Sequence, residues 1–260
     1  METVNDVYKI LNEAYPVSLA EEWDNVGFLA GRGNTEVKKI LLALDITKRV
    51  ISEASEKGCN LIVSHHPVIF TPRRSVTDGD VCGEILLELI ENGISAICMH
   101  TNLDAAENGV NDALAEALGI EDFAPLDPSC GIGRYGRISQ TLDFSEFLRL
   151  VCEKLKCSGV KYHDAGRKVK KLAVGGGACG DYIRRASDLG CDTFVTADVK
   201  HNQFLEAEAL GINVIDAGHF ATEDVVIERL YGLLSERIGG ETVIAAENDT
   251  PCTDFFVIKE

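Results

Sequence analysis

Residues 38–66, KKILLALDITKRVISEASEKGCNLIVSHH, and residues 170–198, KKLAVGGGACGDYIRRASDLGCDTFVTAD, carry the same punctuation 132 residues apart. In each, a lysine pair (Lys38 and Lys39, Lys170 and Lys171) opens a short apolar run, a helical stretch follows, and Gly-Cys (Gly58 and Cys59, Gly190 and Cys191) precedes a second apolar run. Short apolar runs alternating with longer 3.6-period patterns are the signature of α/β architecture with largely parallel strands. A third match follows at an offset of 118, where Asn92, Gly93 and Ile94 lead into SAICMH as Leu210, Gly211 and Ile212 lead into NVIDAGH. The difference, 132 − 118 = 14 residues, belongs to the first half, and PVIFTPRRSVTDGDVCGE is the natural place for it. The chain therefore reads as a duplication of one strand-helix-strand-strand unit, although short matching strings in α/β segments also arise by chance.

Outward from these segments, strands are expected at KKILLALDI, CNLIVS, SAICMH, KKLAVG, CDTFVTA and INVIDA. Helices are expected at CGEILLELIENG, GVNDALAEALGI, DFSEFLRLVCEKL, DYIRRASDLG and EDVVIERLYGLL, several ending at glycine as helix C-termini often do. A first α/β subdomain is expected over 1–125, carrying the strand ends at His65, His66 and Asp104, and a second over 126–260, carrying His219 and Glu223.

Composition narrows the function classes. The 260 residues hold 25 Lys plus Arg against 42 Asp plus Glu, a formal net charge of −17 with no local basic cluster, which argues against a nucleic-acid-binding surface. An apolar fraction of 45% with 26% charged residues is ordinary globular usage and excludes disordered and fibrous classes. The start, METVNDVYKILNEAYP, mixes acids with its apolar residues and does not read as a signal peptide, and no apolar run approaches the ~18 residues that span a bilayer. Nine cysteines without a C-x-x-C pair fit reduced thiols, so a cytoplasmic protein with no membrane association is expected.

Three strand ends present metal-ligand chemistry. His65 and His66 follow CNLIVS just beyond the strand's carboxyl end, where α/β sheets gather ligands and two neighbouring imidazoles can address adjacent ions; a chance doublet on a loop would read the same. In DAGHFATED, His219 and Glu223 are four apart and share a helix face, an imidazole and carboxylate suited to a divalent transition metal, or a surface pair of no consequence. In MHTNLDAAENGVNDAL, His100 and Asp104 repeat that spacing at an offset of 119, with a structural turn as the competing reading. Three strand ends along one sheet edge, without thiolate, suit zinc, manganese, iron, cobalt or nickel. Two such ions about 3.5–4 Å apart make a hydrolytic site.

WDNVGFLAG from Trp23, LIVSHHPVIF, HTNLDAAENGVNDALAEALGI and DAGHFATE together resemble the Nif-three-like dinuclear metal-centre family, also called the GTP cyclohydrolase I type 2 homologues. The resemblance covers nearly the whole chain and is to the short form that lacks an inserted domain. It implies two intertwined, pseudo-duplicated α/β subdomains in a three-layer αβα arrangement with mixed and parallel sheets, two divalent ions per chain, and a toroidal homohexamer. Carried over residue by residue, its metal ligands fall on His65, His66, Asp104, His219 and Glu223, with Glu223 bridging. His100 lies in the family string without being one of its ligands, which leaves it a supporting or proton-transfer role. His201, in TADVKHNQF, is the second candidate for a proton or substrate contact, or a helix-surface histidine.

The function expected is a metal-dependent hydrolase, GTP cyclohydrolase-like or a phosphoesterase, acting on a nucleotide or related small molecule. The alternative is a metal-stabilised regulatory or partner-binding ring without turnover. A third reading rests on Gly175, Gly177 and Gly180, a G-x-G-x-x-G between strand and helix where a pyrophosphate or substrate phosphate could sit, with Asp198 near the distance of a ribose contact. Asp24 and Asn25 occupy a glycine-flanked loop that would line a pocket or simply form Asx turns.

Overall fold

A computed structural model describes residues 2–254, so the extreme ends of the two expected subdomains, residue 1 and residues 255–260, lie outside the described residues. In chain order its strands are β1 (Gly27–Ala30), β2 (Ile40–Ala43), β3 (Leu61–Ser64), β4 (Ser95–Cys98), β5 (Ile120–Pro125), β6 (Arg134–Leu142), β7 (Lys161–His163), β8 (Val169–Val174), β9 (Thr193–Thr196), β10 (Asn213–Asp216) and β11 (Val243–Ala245). They form two mixed sheets, ordered β1-β4-β3-β2-β11 and β5-β6-β8-β9-β10-β7. The six expected strands are β2, β3, β4, β8, β9 and β10, the parallel centre of each sheet.

The two halves repeat at the level of hydrogen bonds. Ile40 pairs with Leu61 and Leu61 with Ser95; the equivalents, Leu172 with Thr193 and Thr193 with Asn213, lie 132, 132 and 118 residues on. Cys59 N–H donates to Ala54 and Cys191 N–H to Ala186; Asn60 donates to Lys39 and Asp192 to Lys171. Even the side chains correspond, with Asn60 Oδ1 accepting Lys38 N–H and Asp192 Oδ2 accepting Lys170 N–H. Gly58 and Gly190 close matched helices at φ +73° and +74°, a left-handed turn that favours glycine. An antiparallel edge strand completes each repeat, β1 against β4 and β7 against β10. The extra residues sit where expected. Sixteen residues, 65–80, separate β3 from helix Val81–Glu91, whereas four, 197–200, separate β9 from helix His201–Leu210.

Both sheets are covered on both faces, which is why most of their central strands are buried at every position rather than at alternate ones. In the second sheet, Leu172, Val174, Val195 and Ile215 belong to one core with Phe147 and Leu114, while the intervening Ala173, Phe194 and Val214 belong to another with Ile183 and Ala207. Alternation with period two puts these sets on opposite faces, the middle layer of an αβα unit. In the first sheet Leu41, Ala43, Ile62 and Ala96 pack with Val50, Ile51 and Leu89, and the alternate Ile40, Leu42, Leu61, Val63 and Ile97 are fully buried too. Burial pushes the Cys191 thiol up to about 11, and raises that of Cys59, so these matched cysteines stay protonated and serve as small apolar residues.

The compact units differ from the expected division at 125 and 126. Among the described residues the first comprises 2–107 and Ile227–Thr250; the second comprises Asn108–Val226 and 251–254. Helix Val110–Ala117 and β5 join the second unit because Leu114, Leu118 and Ile120 enter its core. The chain returns to the first unit at helix Ile227–Ile238, after which β11 pairs in parallel with β2. The expected helix EDVVIERLYGLL is broken for the same reason, a 3-10 turn at Asp224–Val226 marking the crossing.

Candidate metal centre

In the first unit, β3 delivers His65 and His66 past its end while their amides still donate to Ala43 and Leu44 of the neighbouring strand's extension. Neighbours on a strand point to opposite faces. Here the Ser64 hydroxyl donates to the His66 carbonyl at 2.9 Å, and the two rings converge to a centroid separation of 4.9 Å. The His100 ring joins them, 5.2 Å from His65 and 5.6 Å from His66, and donor atoms of all three lie within 4.8 Å of one another. His65 is fully buried.

Each ring is oriented through Nδ1. His65 Nδ1 lies 2.8 Å from the Met99 carbonyl, an acceptor only, so this nitrogen carries the proton and Nε2 is turned toward Asp104 Oδ1 at 3.7 Å. His66 Nδ1 lies 3.0 Å from Asp45 Oδ1, and His100 Nδ1 lies 2.9 and 3.0 Å from the two oxygens of Asp24. The Asp24 side chain is fully buried and also accepts Thr101 N–H at 3.0 Å and Thr101 Oγ1. Burial opposes its charge, yet the hydrogen bonds from His100 and Thr101 outweigh burial and hold the carboxyl well below the usual carboxylate range.

In the second unit, Gly218 at φ +87° turns the chain into the short helix His219–Glu223, placing His219 Nε2 3.2 Å from Glu223 Oε2 across one turn. His219 Nδ1 lies 2.7 Å from Asp198 Oδ2, so a carboxylate again sits behind the imidazole. Glu223 is 3% exposed. Its seat is Gly177, where an added Cβ would come 2.3 Å from Glu223 Oε1 at a φ of +63°.

That seat replaces the nucleotide reading of the glycine motif. The amides of Gly175, Gly176, Gly177 and Cys179 already donate to Val195 O, Asn111 Oδ1, Thr222 Oγ1 and Thr196 Oγ1, leaving no ready cradle for phosphate. At Gly180 a Cβ would lie 2.4 Å from Gln203 Oε1, so the buried Gln203 amide packs directly against this glycine. Asp198, considered above for a ribose, orients His219. His201 is an exposed residue opening helix His201–Leu210 and makes no hydrogen bond or ion pair.

The donor set fits a divalent transition metal. Imidazole nitrogen and carboxylate oxygen are its ordinary ligands, and separations of 3.7 Å in one unit and 3.2 Å in the other are those of two donors each about 2.1 Å from a common ion. Metal-bound histidines place a carboxylate or carbonyl behind their other nitrogen, as all four histidines here do. Sequence reasoning missed Asp45. Its one signal is its place at the carboxyl end of β2, which marks a strand end but no partner.

The sequence profile of the Duf34/NIF3 (NGG1p interacting factor 3) family matches residues 2–251. A Clostridium perfringens protein described as a GTP cyclohydrolase 1 type 2 homolog is 34% identical over 256 residues, covering 95% of this chain and 98% of its own length. A Staphylococcus aureus relative of the same description aligns over 363 positions, so it carries an insertion absent here. Among solved structures, a Bacillus cereus protein related to NIF3 superimposes with a TM-score of 0.90 at 23% identity, over 98% of this chain and all of that one. Reduced HcgD from Methanocaldococcus jannaschii does so with a TM-score of 0.82 at 30% identity, over 94% of this chain and 98% of its own.

Proposed function

The chain belongs to the Duf34/NIF3 family, and from that premise we propose that it is a metal-dependent hydrolase. In this reading the metal ligands are His65, His66 and Asp104 in the first unit and His219 and Glu223 in the second, with two divalent ions held per chain. The observation that carries it is the common posture of the histidines. Each commits Nδ1 to a carbonyl or carboxylate and so presents Nε2 as a lone-pair donor.

Bound ions of this kind supply Lewis acidity and hydroxide near neutral pH. The chain's own residues prepare the site for that role. Asp45, Asp24 and Asp198 hold the Nδ1 protons of His66, His100 and His219, which fixes ring orientation and tautomer. Thr101 keeps Asp24 ionised, and the Gly177 seat with Thr222 holds Glu223 in place. His100 stands within donor range of His65 and His66, suiting it to carry a proton to or from a reacting group. A cyclohydrolase-like ring opening or a phosphoester hydrolysis would both use this arrangement, and the names of the curated relatives favour the first.

The family description includes an interacting factor, which supports a second reading, a partner-binding protein whose metals only stabilise it. One experiment separates the two. Elemental analysis of the purified protein, with a hydrolysis screen on the same sample, is expected to give about two ions per chain and turnover of a nucleotide or phosphoester. Metal-loaded protein that turns over nothing, and merely melts lower when stripped, would favour the second reading; protein that refuses added metal would overturn both.

A further inference from the structure

Within the first unit, Trp23 and Phe70 are among the most exposed large apolar side chains, 60% and 53% accessible, and they lie together with ring centroids 5.8 Å apart. Each also makes a T-shaped contact with the His100 ring, with centroids 6.1 and 6.2 Å apart. The aromatic pair is therefore continuous with the imidazole cluster of the candidate metal centre. Scattered surface aromatics are normal, but a contiguous exposed pair beside a candidate site marks a contact surface.

The pair is also held in place. Next to Trp23, Asp24 is buried and bonded to His100 and Thr101, and the Glu21 amide donates to Thr101 Oγ1 at 3.0 Å. Asn25 Nδ2 donates to the Ile69 carbonyl at 2.6 Å, tying the Trp23 loop to the Phe70 loop across 44 residues of chain. Rigid aromatic side chains present large area at small entropic loss on binding.

Charge argues in the same direction. A chain of net charge −17 repels an anionic molecule at long range, so affinity for a phosphate-bearing substrate must come from metal and from uncharged contact. Resting on the hydrolase reading above, we propose that Trp23 and Phe70 form the platform on which a planar fused ring of the substrate, of purine type, stacks beside the metal centre. Asp24 and the Asn25 amide are committed to the protein, so the platform recognises the flatness and size of the ring, and the metal centre recognises the reacting group.

Trp23 is the single tryptophan of the chain, so intrinsic emission reports on this position alone. Guanosine is the probe and ribose 5-phosphate the ringless control. Guanosine is expected to quench Trp23 emission saturably while ribose 5-phosphate does not. Phe70→Leu, which keeps the reporter, is expected to weaken guanosine binding about tenfold, within the range for loss of one base–aromatic stack. Trp23→Leu, followed by calorimetry, is expected to weaken it similarly. Both variants replace exposed residues and should keep the wild-type melting temperature and metal content. Absent quenching, equal quenching by the ringless control, unchanged affinity in Phe70→Leu, or emission already shielded by a second copy of the chain would each overturn the platform. Failure of the metal reading looks different: guanosine would still quench while the wild-type protein took up no metal.

Discussion

Glu223 and Gly177 belong to one local problem, that of burying a carboxylate against a turn with no room for a Cβ. Gly177 is needed twice, for its positive φ and for the 2.3 Å approach that a methyl would make to Glu223 Oε1. Gly190 has the same backbone requirement at φ +74° but nothing within 4 Å of an added Cβ. Gly177→Ala and Gly190→Ala are therefore both expected to lose about 1–2 kcal/mol from left-handed strain in a denaturant melt. Only Gly177→Ala should also lose bound metal by elemental analysis, and retention there would refute the seat. Glu223→Gln is expected to lower bound cobalt in a titration, because a neutral amide cannot offset the charge of a divalent ion; unchanged occupancy would contradict Glu223 as a ligand. The histidines were legible because strand-end chemistry and the family strings both point at them. Their supports were not. Asp45 and Asp198 each stand 21 residues from the histidine they orient, on a different strand end, and Asp24 stands 76 from His100.

At the level of elements, what was readable followed burial. β2, β3, β4, β9 and β10 are buried at every position, so their apolar runs announced them, and the repeat offsets of 132 and 118 reappear as strand register. The strands the reading omitted, β1, β5, β6, β7 and β11, include every sheet edge; most are only half-buried, with patterns too short or too polar to stand out. A buried carboxylate joins the short apolar run of β11 in fixing the returning chain. Glu53, 2% exposed on helix Lys48–Glu56, accepts the amides of Glu247 and Asn248 at 2.8 Å each and pairs with Lys57 at 2.7 Å. Burial raises the Glu53 pKa, but these donors together bring it below the ordinary value. A carboxyl lowered on folding stabilises the protein above its unfolded pKa and loses that contribution as pH falls through the folded value. Glu53→Gln should therefore be less stable than the wild type in urea near about pH 7, with the difference shrinking by about pH 3. An equal difference at both pH values would assign the effect to packing.

At the scale of the whole molecule, the partition into two units turned on contacts that no local pattern contains. GVNDALAEALGI is amphipathic wherever it packs, and only the cores show that Leu114 and Leu118 serve the second sheet. No helix among the described residues is long and apolar enough to cross a membrane. Assembly is the remaining large-scale expectation, and the loop TPRRSVTDGD bears on it. Arg73 pairs with Asp80 inside that loop and also donates to the Ser75 carbonyl, so its charge is answered within the chain and does not call for an acid on a neighbour. Arg74 remains exposed. With −17 on every chain, long-range repulsion must be overcome at contact, and exposed apolar residues around this segment, Val76, Val81 and Ile90 at 45%, 72% and 61%, offer area for it. Repulsion between like-charged subunits weakens as the screening length falls, about 30 Å at 0.01 M salt and about 8 Å at 0.15 M. Closed rings stop growing, whereas an open head-to-tail chain of this protein would precipitate. Light scattering at moderate salt is expected to give the mass near six chains of 28.2 kDa that the family resemblance implies, with dissociation favoured as salt is lowered. A monomer at micromolar concentration and moderate salt would refute the ring and leave the donors of each unit as described.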